Sequence, residues 1–348
     1  VHGWNFLGDI NKENLEMTRI IRDFKDRFNG KSKEDIAASN MDDFEMYQRA
    51  RKEYDKKLQN AQSQKTYYKN ILQQLVSARQ AVSDSIGKKD FSLEEVKELK
   101  ADSSELKQKK NFLIQVMSNV GDDLSEAEKQ LQRGVDYFSS RANYNFNLDL
   151  NATADRGNDP DDFDDIENYG NNDVDGPDPK EDVVKHGTHV SGIIGAERNN
   201  DSGVNGVASN VKIMPIRAVP DGDEYDKDIA YAIRYAVDNG AKVINTSFGK
   251  YYSTHPDWVI EAIQYAAKND VLVVNASGNE GIDLDKERVY PNDQTPDDAT
   301  ELADNFINVG AIGPQIGENL VASFSNYGKA NVDIFAPGAS IYSTVPND

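Results

Sequence analysis

Residues 241–281, AKVINTSFGKYYSTHPDWVIEAIQYAAKNDVLVVNASGNEG, contain the pattern that decides the fold. An apolar strand precedes a helix that has Pro256 in its first turn, and a second apolar strand begins at Val271. The same order of strand and helix occurs just upstream, in residues 211–219 (VKIMPIRAV) and 226–240. Buried strands that alternate with helices predict an α/β fold with a doubly wound, mostly parallel sheet. In such sheets, functional residues collect at the carboxyl ends of the strands.

Residues 13–140 carry helical periodicity instead. Residues 12–28 have the spacing of a short amphipathic helix. From Phe44 to Ile86, apolar and aromatic side chains follow a heptad pattern that three basic residues interrupt, which predicts one helix of about 40 residues. Two capping boxes, each a serine followed three residues later by a glutamate, predict further helix starts: Ser92 with Glu95, and Ser125 with Glu128. The segment is therefore predicted to be an all-α antiparallel hairpin or small bundle.

Charge and composition divide the chain in a similar way. The 348 residues include 39 Lys+Arg and 60 Asp+Glu, for a net charge of −21. Residues 13–140 are balanced, with 23 of each sign, so the acidic excess lies outside them. We expect four segments, namely a short strand and turn (1–12), the helical segment (13–140), an Asp/Asn/Gly-rich acidic loop (141–182) and the α/β segment (183–348).

The same composition excludes several classes of protein. An acidic surface disfavours nucleic acid as a partner, because phosphates bind clustered Lys and Arg. The chain has no cysteine, which excludes disulfides and cysteine-based metal sites. No apolar run approaches the ~20 residues of a membrane span. No Gly-x-Gly-x-x-Gly follows a strand, which argues against dinucleotide binding.

The stretch HGTHVSGIIGA (186–196) opens an apolar helix with His186 at its start. Imidazole titrates near neutral pH, so a histidine at a helix start near strand ends suits proton transfer. A lone histidine is also common as a hydrogen-bonded structural residue. His186 and His189 have the i, i+3 spacing of a metal-binding pair, which would require a third ligand. The local pattern alone leaves all three readings open.

His-Gly-Thr-His-Val-Ser-Gly resembles the histidine motif of the subtilisin-like serine peptidases, the subtilase family. The resemblance extends over residues 183–348 and, less completely, over residues 1–8. It implies a doubly wound subtilisin-like fold that is incomplete at both ends, has its N-terminal edge in residues 1–12 and is interrupted by the all-α hairpin or bundle insertion at 13–140. Several motifs in one order are far more specific than any one of them. Further stretches resemble family segments in the family's order: 199–208, 243–249, 276–281, Tyr290-Pro291, 308–312, 324–328 and 335–338.

The resemblance implies a role for each matching residue. His186 would be the general base and acid, and Asn279 would donate a hydrogen bond to the oxyanion. Ser247, Phe248 and Gly249 would bind an extended substrate as an added strand, although Phe248 also suits the core. The loop around Asn200 resembles one that binds a structural calcium ion in many family members. Apart from the resemblance, the composition of the Asp-rich stretch 159–178 suits either a second calcium site or a solvated acidic loop. No cofactor is required for the chemistry.

The chain departs from the family pattern in its catalytic triad. The family's Asp lies in an Asp-x-Gly turn after an apolar strand, and its Ser in Gly-Thr-Ser. Neither occurs here in a matching place, so the catalytic Asp and Ser are absent from this chain. Asp155-Arg-Gly has the right form but follows a polar stretch, and we do not expect it to be catalytic. We interpret the absence as truncation, and we expect the fragment as given to be inactive.

The function predicted for the intact protein is serine-type endopeptidase activity through an acyl-enzyme. Two alternatives remain, namely a non-catalytic subtilase relative that acts as a binding protein, and a scaffold role for the helical insertion. The predicted partners are polypeptide substrates, a propeptide and a protein docked on the insertion. Resemblance to the family further implies a secreted or extracytoplasmic location.

Overall fold

A computed structural model describes residues 3–167, 169–177, 184–295 and 300–346. Contacts between residues divide the chain into two compact units. One unit comprises residues 1–46 together with 148–348, and the other comprises residues 47–147.

Eight α-helices and six strands lie in the described part of the chain. The helices are α1 (Glu16–Phe28), α2 (Met41–Ile86), α3 (Leu93–Glu98), α4 (Ser104–Val120), α5 (Ser125–Ser140), α6 (Lys185–Gly195), α7 (Asp226–Asp238) and α8 (Pro256–Lys268). The strands are β1 (Trp4–Asn5), β2 (Ile216–Arg217), β3 (Val243–Thr246), β4 (Leu272–Ala276), β5 (Phe306–Ile312) and β6 (Ile334–Pro337).

All strand pairs in both sheets are parallel, which confirms the predicted α/β class. The larger sheet has the order β3-β4-β5-β6, and β1 pairs with β2 in a separate two-stranded sheet. The strand predicted over 211–219 is shorter than expected, because only Ile216 and Arg217 pair with a neighbour. Pro215 immediately precedes this pair, and proline has no N–H to donate to a ladder.

Helices α7 and α8 pack against each other and on the sheet, and they close the core of the first unit. Alanines at the contact, such as Ala230, Ala262 and Ala266, are fully buried and let the two helices approach closely. Ile263 of α8 and Val273 of β4 are also fully buried. The proline predicted in the first turn of α8 begins the helix, where its missing N–H costs no hydrogen bond.

The described part of the acidic loop is packed against the N-terminal turn of α7. Lys227 is fully buried, and its ammonium donates to the carbonyl oxygens of Asp159 (2.8 Å) and Asp165. The Arg156 guanidinium pairs with the buried Asp228 carboxylate at 2.5 Å. Buried charges are stable only when they are paired and hydrogen-bonded, so these contacts fix the loop on the helix.

The second unit is helical throughout its described elements. The heptad pattern correctly predicts α2, which ends at Ile86 before Gly87 with its positive φ of 77°. Its apolar side chains pack against α4 around fully buried Leu75, Val82 and Leu113. Arg79, one of the basic residues that interrupt the heptad pattern, pairs with Glu128 at 3.1 Å.

Of the two predicted capping boxes, the structure contains one and lacks the other. The Ser92–Glu95 capping box is confirmed at the start of α3. The box predicted at Ser125 is wrong, because Ser125 is already helical and donates its hydroxyl and amide to the Asp123 carboxylate. The Asp123 carboxylate, rather than a capping box at Ser125, therefore accepts the hydrogen bond from the first backbone amide of α5.

Candidate functional site

The segments at the carboxyl ends of β3 and β4 lie side by side. The parallel register pairs Thr246 with Asn275, so the residues that follow each strand leave the sheet at the same edge. These residues are 247–249 after β3 and 277–279 after β4. The predicted substrate-binding residues Ser247–Gly249, called the substrate edge from here on, and the predicted oxyanion residue Asn279 therefore lie at the same edge of the sheet.

The substrate edge has one exposed and two half-buried members. Gly249 is exposed, and a Cβ at this position would lie 3.0 Å from the Tyr290 carbonyl oxygen, so only glycine fits without a shift. Ser247 accepts a hydrogen bond from the Asn245 amide at 2.8 Å. Phe248 packs against the core of the first unit, which α7, α8 and β4 form, and this fits the alternative interpretation of Phe248 as a core residue.

Asn279 lies exposed in a turn that a second asparagine holds in shape. The fully buried Asn326 accepts hydrogen bonds at its Oδ1 from the amides of Glu280 (3.0 Å) and Ile282 (3.2 Å). Its Nδ2 donates to the Ser277 carbonyl at 2.8 Å. Three hydrogen bonds from one side chain therefore fix the backbone on both sides of Asn279, whose own side chain is left facing solvent.

His186 is the second residue of α6 and is exposed. Residues near the end of the chain run along this helix. The hydroxyls of Ser343 and Thr344 donate to the carbonyls of His189 (2.7 Å) and Thr188 (2.8 Å). Within the described residues, no hydrogen bond joins His186 to Asn279 or to the substrate edge, so the structure gives this histidine a position but no catalytic contact.

The loop after α6 contains Asn200, the residue predicted near calcium. Asn200 is exposed, and its Oδ1 accepts a hydrogen bond from the Ser202 amide at 3.1 Å. The flanking residues Asn199 and Asp201 both have φ in the left-handed region, at 59° and 58°. The loop is thus tightly turned, with its side-chain amide oxygen already engaged by the backbone.

Two kinds of feature are absent from the part of the chain that the structure describes. No three His, Asp or Glu side chains there come close enough to hold a metal ion, so His186 and His189 do not form the core of such a group. None of the helices described is both long and apolar enough to cross a membrane. Asp155 ends a 3-10 helix (Ala152–Asp155), and its side chain lies outside the described part.

A buried charge cluster lies directly beside the substrate edge, and sequence reasoning missed it. Lys250 follows Gly249, and its ammonium contacts the carboxylates of Glu16 (3.1 Å) and Asp226 (3.0 Å). It also donates to the Glu224 carbonyl at 3.0 Å. Only 1% of the Lys250 side chain is exposed. The sole sequence signal is a lysine placed between two apolar stretches.

Arg19 completes this cluster from α1. Its guanidinium pairs with the Glu16 carboxylate and donates to the Asp223 carbonyl at 2.8 Å. Burial alone would raise the pKa of Glu16, but Arg19 and Lys250 outweigh it and lower that pKa to about 2. For Glu224 the balance is reversed, since burial raises the pKa of its carboxyl to about 8 despite the nearby Lys250.

A polar cavity of about 140 Å³ lies beneath the same edge of the sheet. Burial raises the pKa of one lining residue, Asp293, to about 6. Backbone amides of residues 329–331 donate to another, Asp285, and lower its pKa. None of the sequence-predicted site residues lines this cavity.

Comparison with known proteins shows which family the chain resembles. The model of the subtilase family matches residues 134–347. The thermophilic serine proteinase of Bacillus sp. (strain AK1) is 39% identical over 165 residues, which are 47% of this chain and 37% of that protein. Thermitase of Thermoactinomyces vulgaris is 34% identical over 162 residues, 46% of this chain and 52% of that protein.

Two further matches complete the comparison. The cell wall-associated protease of Bacillus subtilis (strain 168) is 35% identical over 163 residues, or 47% of this chain and 16% of that protein. The solved structure of sphericase aligns at 30% identity and a TM-score of 0.39, covering 46% of this chain and 55% of that one. The chain therefore spans about half, or less, of the length of these relatives.

The raised pKa of Glu224 predicts a specific dependence of stability on pH. Since the folded state keeps this carboxyl protonated up to about pH 8, whereas the unfolded chain releases the proton near 4.5, stability falls as pH rises between these values. Replacing Glu224→Gln removes the titration. We expect the variant to lose less unfolding free energy than the wild type between pH 5 and 8, by about 1 kcal/mol or more, in urea titrations.

The control is Glu318→Gln, which changes an exposed carboxylate of the same unit. Equal pH slopes for the wild type and Glu224→Gln would contradict the assignment. The titratable groups that act on Glu224 are Lys250, Asp223 and Asp226.

Proposed function

The chain belongs to the subtilase family, and from that premise we propose that the protein containing it is a serine-type endopeptidase that acts on polypeptide substrates. The observation that carries the proposal is the common edge formed by residues 247–249 and 277–279. An extended peptide bound along Ser247–Gly249 would present its scissile carbonyl to the turn that contains Asn279.

Each residue has a separate task in the proposed reaction. A serine hydroxyl attacks the scissile carbonyl carbon while His186 takes the hydroxyl proton. The carbonyl oxygen becomes an oxyanion, to which the Asn279 carboxamide donates a hydrogen bond. His186 then returns the proton to the leaving amine, and water hydrolyses the acyl-enzyme that remains. A carboxamide suits the oxyanion because it donates a hydrogen bond without ionising.

We assign the nucleophilic serine and the aspartate that orients His186 to sequence outside Val1–Asp348. The open edges of the two sheets support this assignment. Among the described residues, β2 pairs with β1 and β3 pairs with β4, and no strand lies between β2 and β3. Val243 on β3 is 59% exposed, which is unusual for an apolar residue of a parallel strand. An additional strand at this edge would cover it.

The test of the proposed function uses the full-length protein and its His186→Ala variant. We expect the wild type to hydrolyse peptide substrates and to be labelled by a fluorophosphonate, which reacts with activated serines. Loss of the general base should reduce turnover by at least about 10²-fold. The matched control is His255→Gln, which replaces a ring that stacks on Trp258 and has no role in the proposed reaction but keeps the backbone amide, so turnover should be unchanged.

Three outcomes would contradict parts of this proposal. A full-length protein without turnover or labelling would overturn the endopeptidase assignment. If such an inactive protein bound a polypeptide partner, and the His186→Ala variant bound it equally, a binding or scaffold role would be favoured instead.

We also propose that the protein is located outside the cytoplasm. The assay is therefore run separately on the medium and on the lysate of producing cells. Activity confined to the lysate would contradict that location.

A structural calcium ion near Asn200 is a subsidiary proposal. The amide oxygen of Asn200 has two lone pairs, of which the Ser202 amide engages one. This oxygen and the backbone carbonyls of the loop are ligands that calcium accepts. We expect a chelator to lower the melting temperature of the full-length protein and added calcium, but not magnesium, to restore it. Asn200→Ala should abolish this response. A response that persists in the variant would move the ion to another place, such as the Asp-rich stretch 159–178, and no response would exclude both.

A further inference from the structure

The strongest feature outside the proposed chemistry is the buried charge cluster that joins α1 to the substrate edge. Its members come from three parts of the first unit that are far apart in sequence. Glu16 and Arg19 lie on α1, Asp226 begins α7, and Lys250 follows the substrate edge. Helix α1 precedes the helical unit in sequence, and it needs no contact with substrate to influence the site through Lys250.

Lys250 is held at both its backbone and its side chain. Its amide donates to the Tyr290 carbonyl, and the Tyr290 amide donates to the Lys250 carbonyl, both at 2.9 Å. Its ammonium lies between the carboxylates of Glu16 and Asp226. Because Gly249 is the preceding residue and lies against Tyr290, a shift of Lys250 moves the backbone with which a bound peptide would pair.

The carboxylates that hold Lys250 are themselves fixed. The Glu16 carboxylate pairs with Arg19, and the Glu16 backbone amide donates a hydrogen bond to the Asp223 carboxylate at 2.8 Å. Asp226 accepts hydrogen bonds from the Ser253 hydroxyl at 2.9 Å and from the His255 amide at 3.0 Å. The Lys250 side chain is therefore held in position, since both carboxylates that contact its ammonium are buried and bonded to further groups.

From this geometry we propose that Glu16 is a positioning residue for the substrate edge, acting through Lys250 to hold Ser247–Gly249 in the conformation that binds an extended peptide. This inference rests on the proposed function. The charge on Glu16 fixes the Lys250 ammonium, and the Lys250 backbone fixes Gly249. Helix α1 is thereby part of the machinery that selects extended polypeptides over short substrates.

The proposal predicts an effect on binding that depends on substrate length. Glu16→Gln keeps the side-chain shape but removes the charge that attracts the ammonium. For an extended peptide substrate, we expect KM to rise about tenfold with kcat changed by less than about twofold, as for the loss of a ground-state binding contact. For a single-residue ester, which makes no strand pairing with Ser247–Gly249, KM should stay within about twofold of the wild type.

The matched control is Asp228→Asn. It breaks another buried ion pair of the same unit, Arg156–Asp228, whose side chains are 2% and 0% exposed. This variant should also lose stability, but it should leave KM unchanged for both substrates. All variants are measured in the full-length protein, well below their urea unfolding midpoints. If Glu16→Gln does not fold, Glu16→Asp retains the charge but withdraws it from Lys250 by one methylene, and the same pattern is expected.

Two results would overturn the positioning role. One is a KM for extended substrates that rises no more in Glu16→Gln than in Asp228→Asn. The other is an equal rise for extended and single-residue substrates. If the wild type turns over neither substrate, the proposed function fails, and the positioning role is then judged by calorimetry with an extended peptide. Its affinity should fall about tenfold in Glu16→Gln and stay unchanged in Asp228→Asn.

Discussion

Burial of the Lys250 ammonium between two carboxylates is the interaction on which the arrangement of the site depends. An unpaired ammonium at this depth would be strongly destabilising, so the fold must bring Glu16 and Asp226 to it. That requirement joins α1, the start of α7 and the segment after β3 into one cluster. The opposing charges also explain why Lys250 keeps a raised pKa although its burial acts in the opposite direction.

The parallel sheet supplies the second constraint. Because β3 and β4 are paired in register, the segments after them leave the sheet together and form one edge. Buried polar side chains then give that edge its shape. Lys250 anchors the first segment, and Asn326 anchors the turn around Asn279 with three hydrogen bonds. The exposed residues Gly249 and Asn279 are thus held by buried neighbours that have no role in the proposed chemistry.

The sequence predicts the repeating elements well, because periodicity reports which face of a helix or strand is buried. It locates α2, α7 and α8 closely, and its motifs point to His186, Asn279 and residues 247–249. It does not predict Glu16, Arg19 and Asn326, because each acts through contacts between residues far apart in the chain. Glu16 and Lys250, for example, are 234 positions apart.

Local chemistry accounts for the remaining differences. The capping box predicted at Ser125 has the correct residue types. However, the Ser125 amide donates to the Asp123 carboxylate instead of the Glu128 carboxylate that a capping box would use. The acidic loop shows no periodicity, and the contacts that pack its described part on α7 come from Lys227 and Asp228. Neither outcome can be predicted from composition, because several polar groups compete for the same hydrogen-bond donor and the three-dimensional structure decides which of them is close enough to accept.

The central claim is that the edge formed by Ser247–Gly249 and the Asn279 turn binds an extended peptide. The most direct measurement is a crystal structure of the full-length protein with a peptide-based inhibitor of serine peptidases. The account predicts that the inhibitor backbone pairs with Ser247–Gly249 as an added strand, and that the Asn279 amide nitrogen lies within about 3 Å of its reactive oxygen. An inhibitor bound elsewhere, or bound at this edge without contact to Asn279, would contradict the claim.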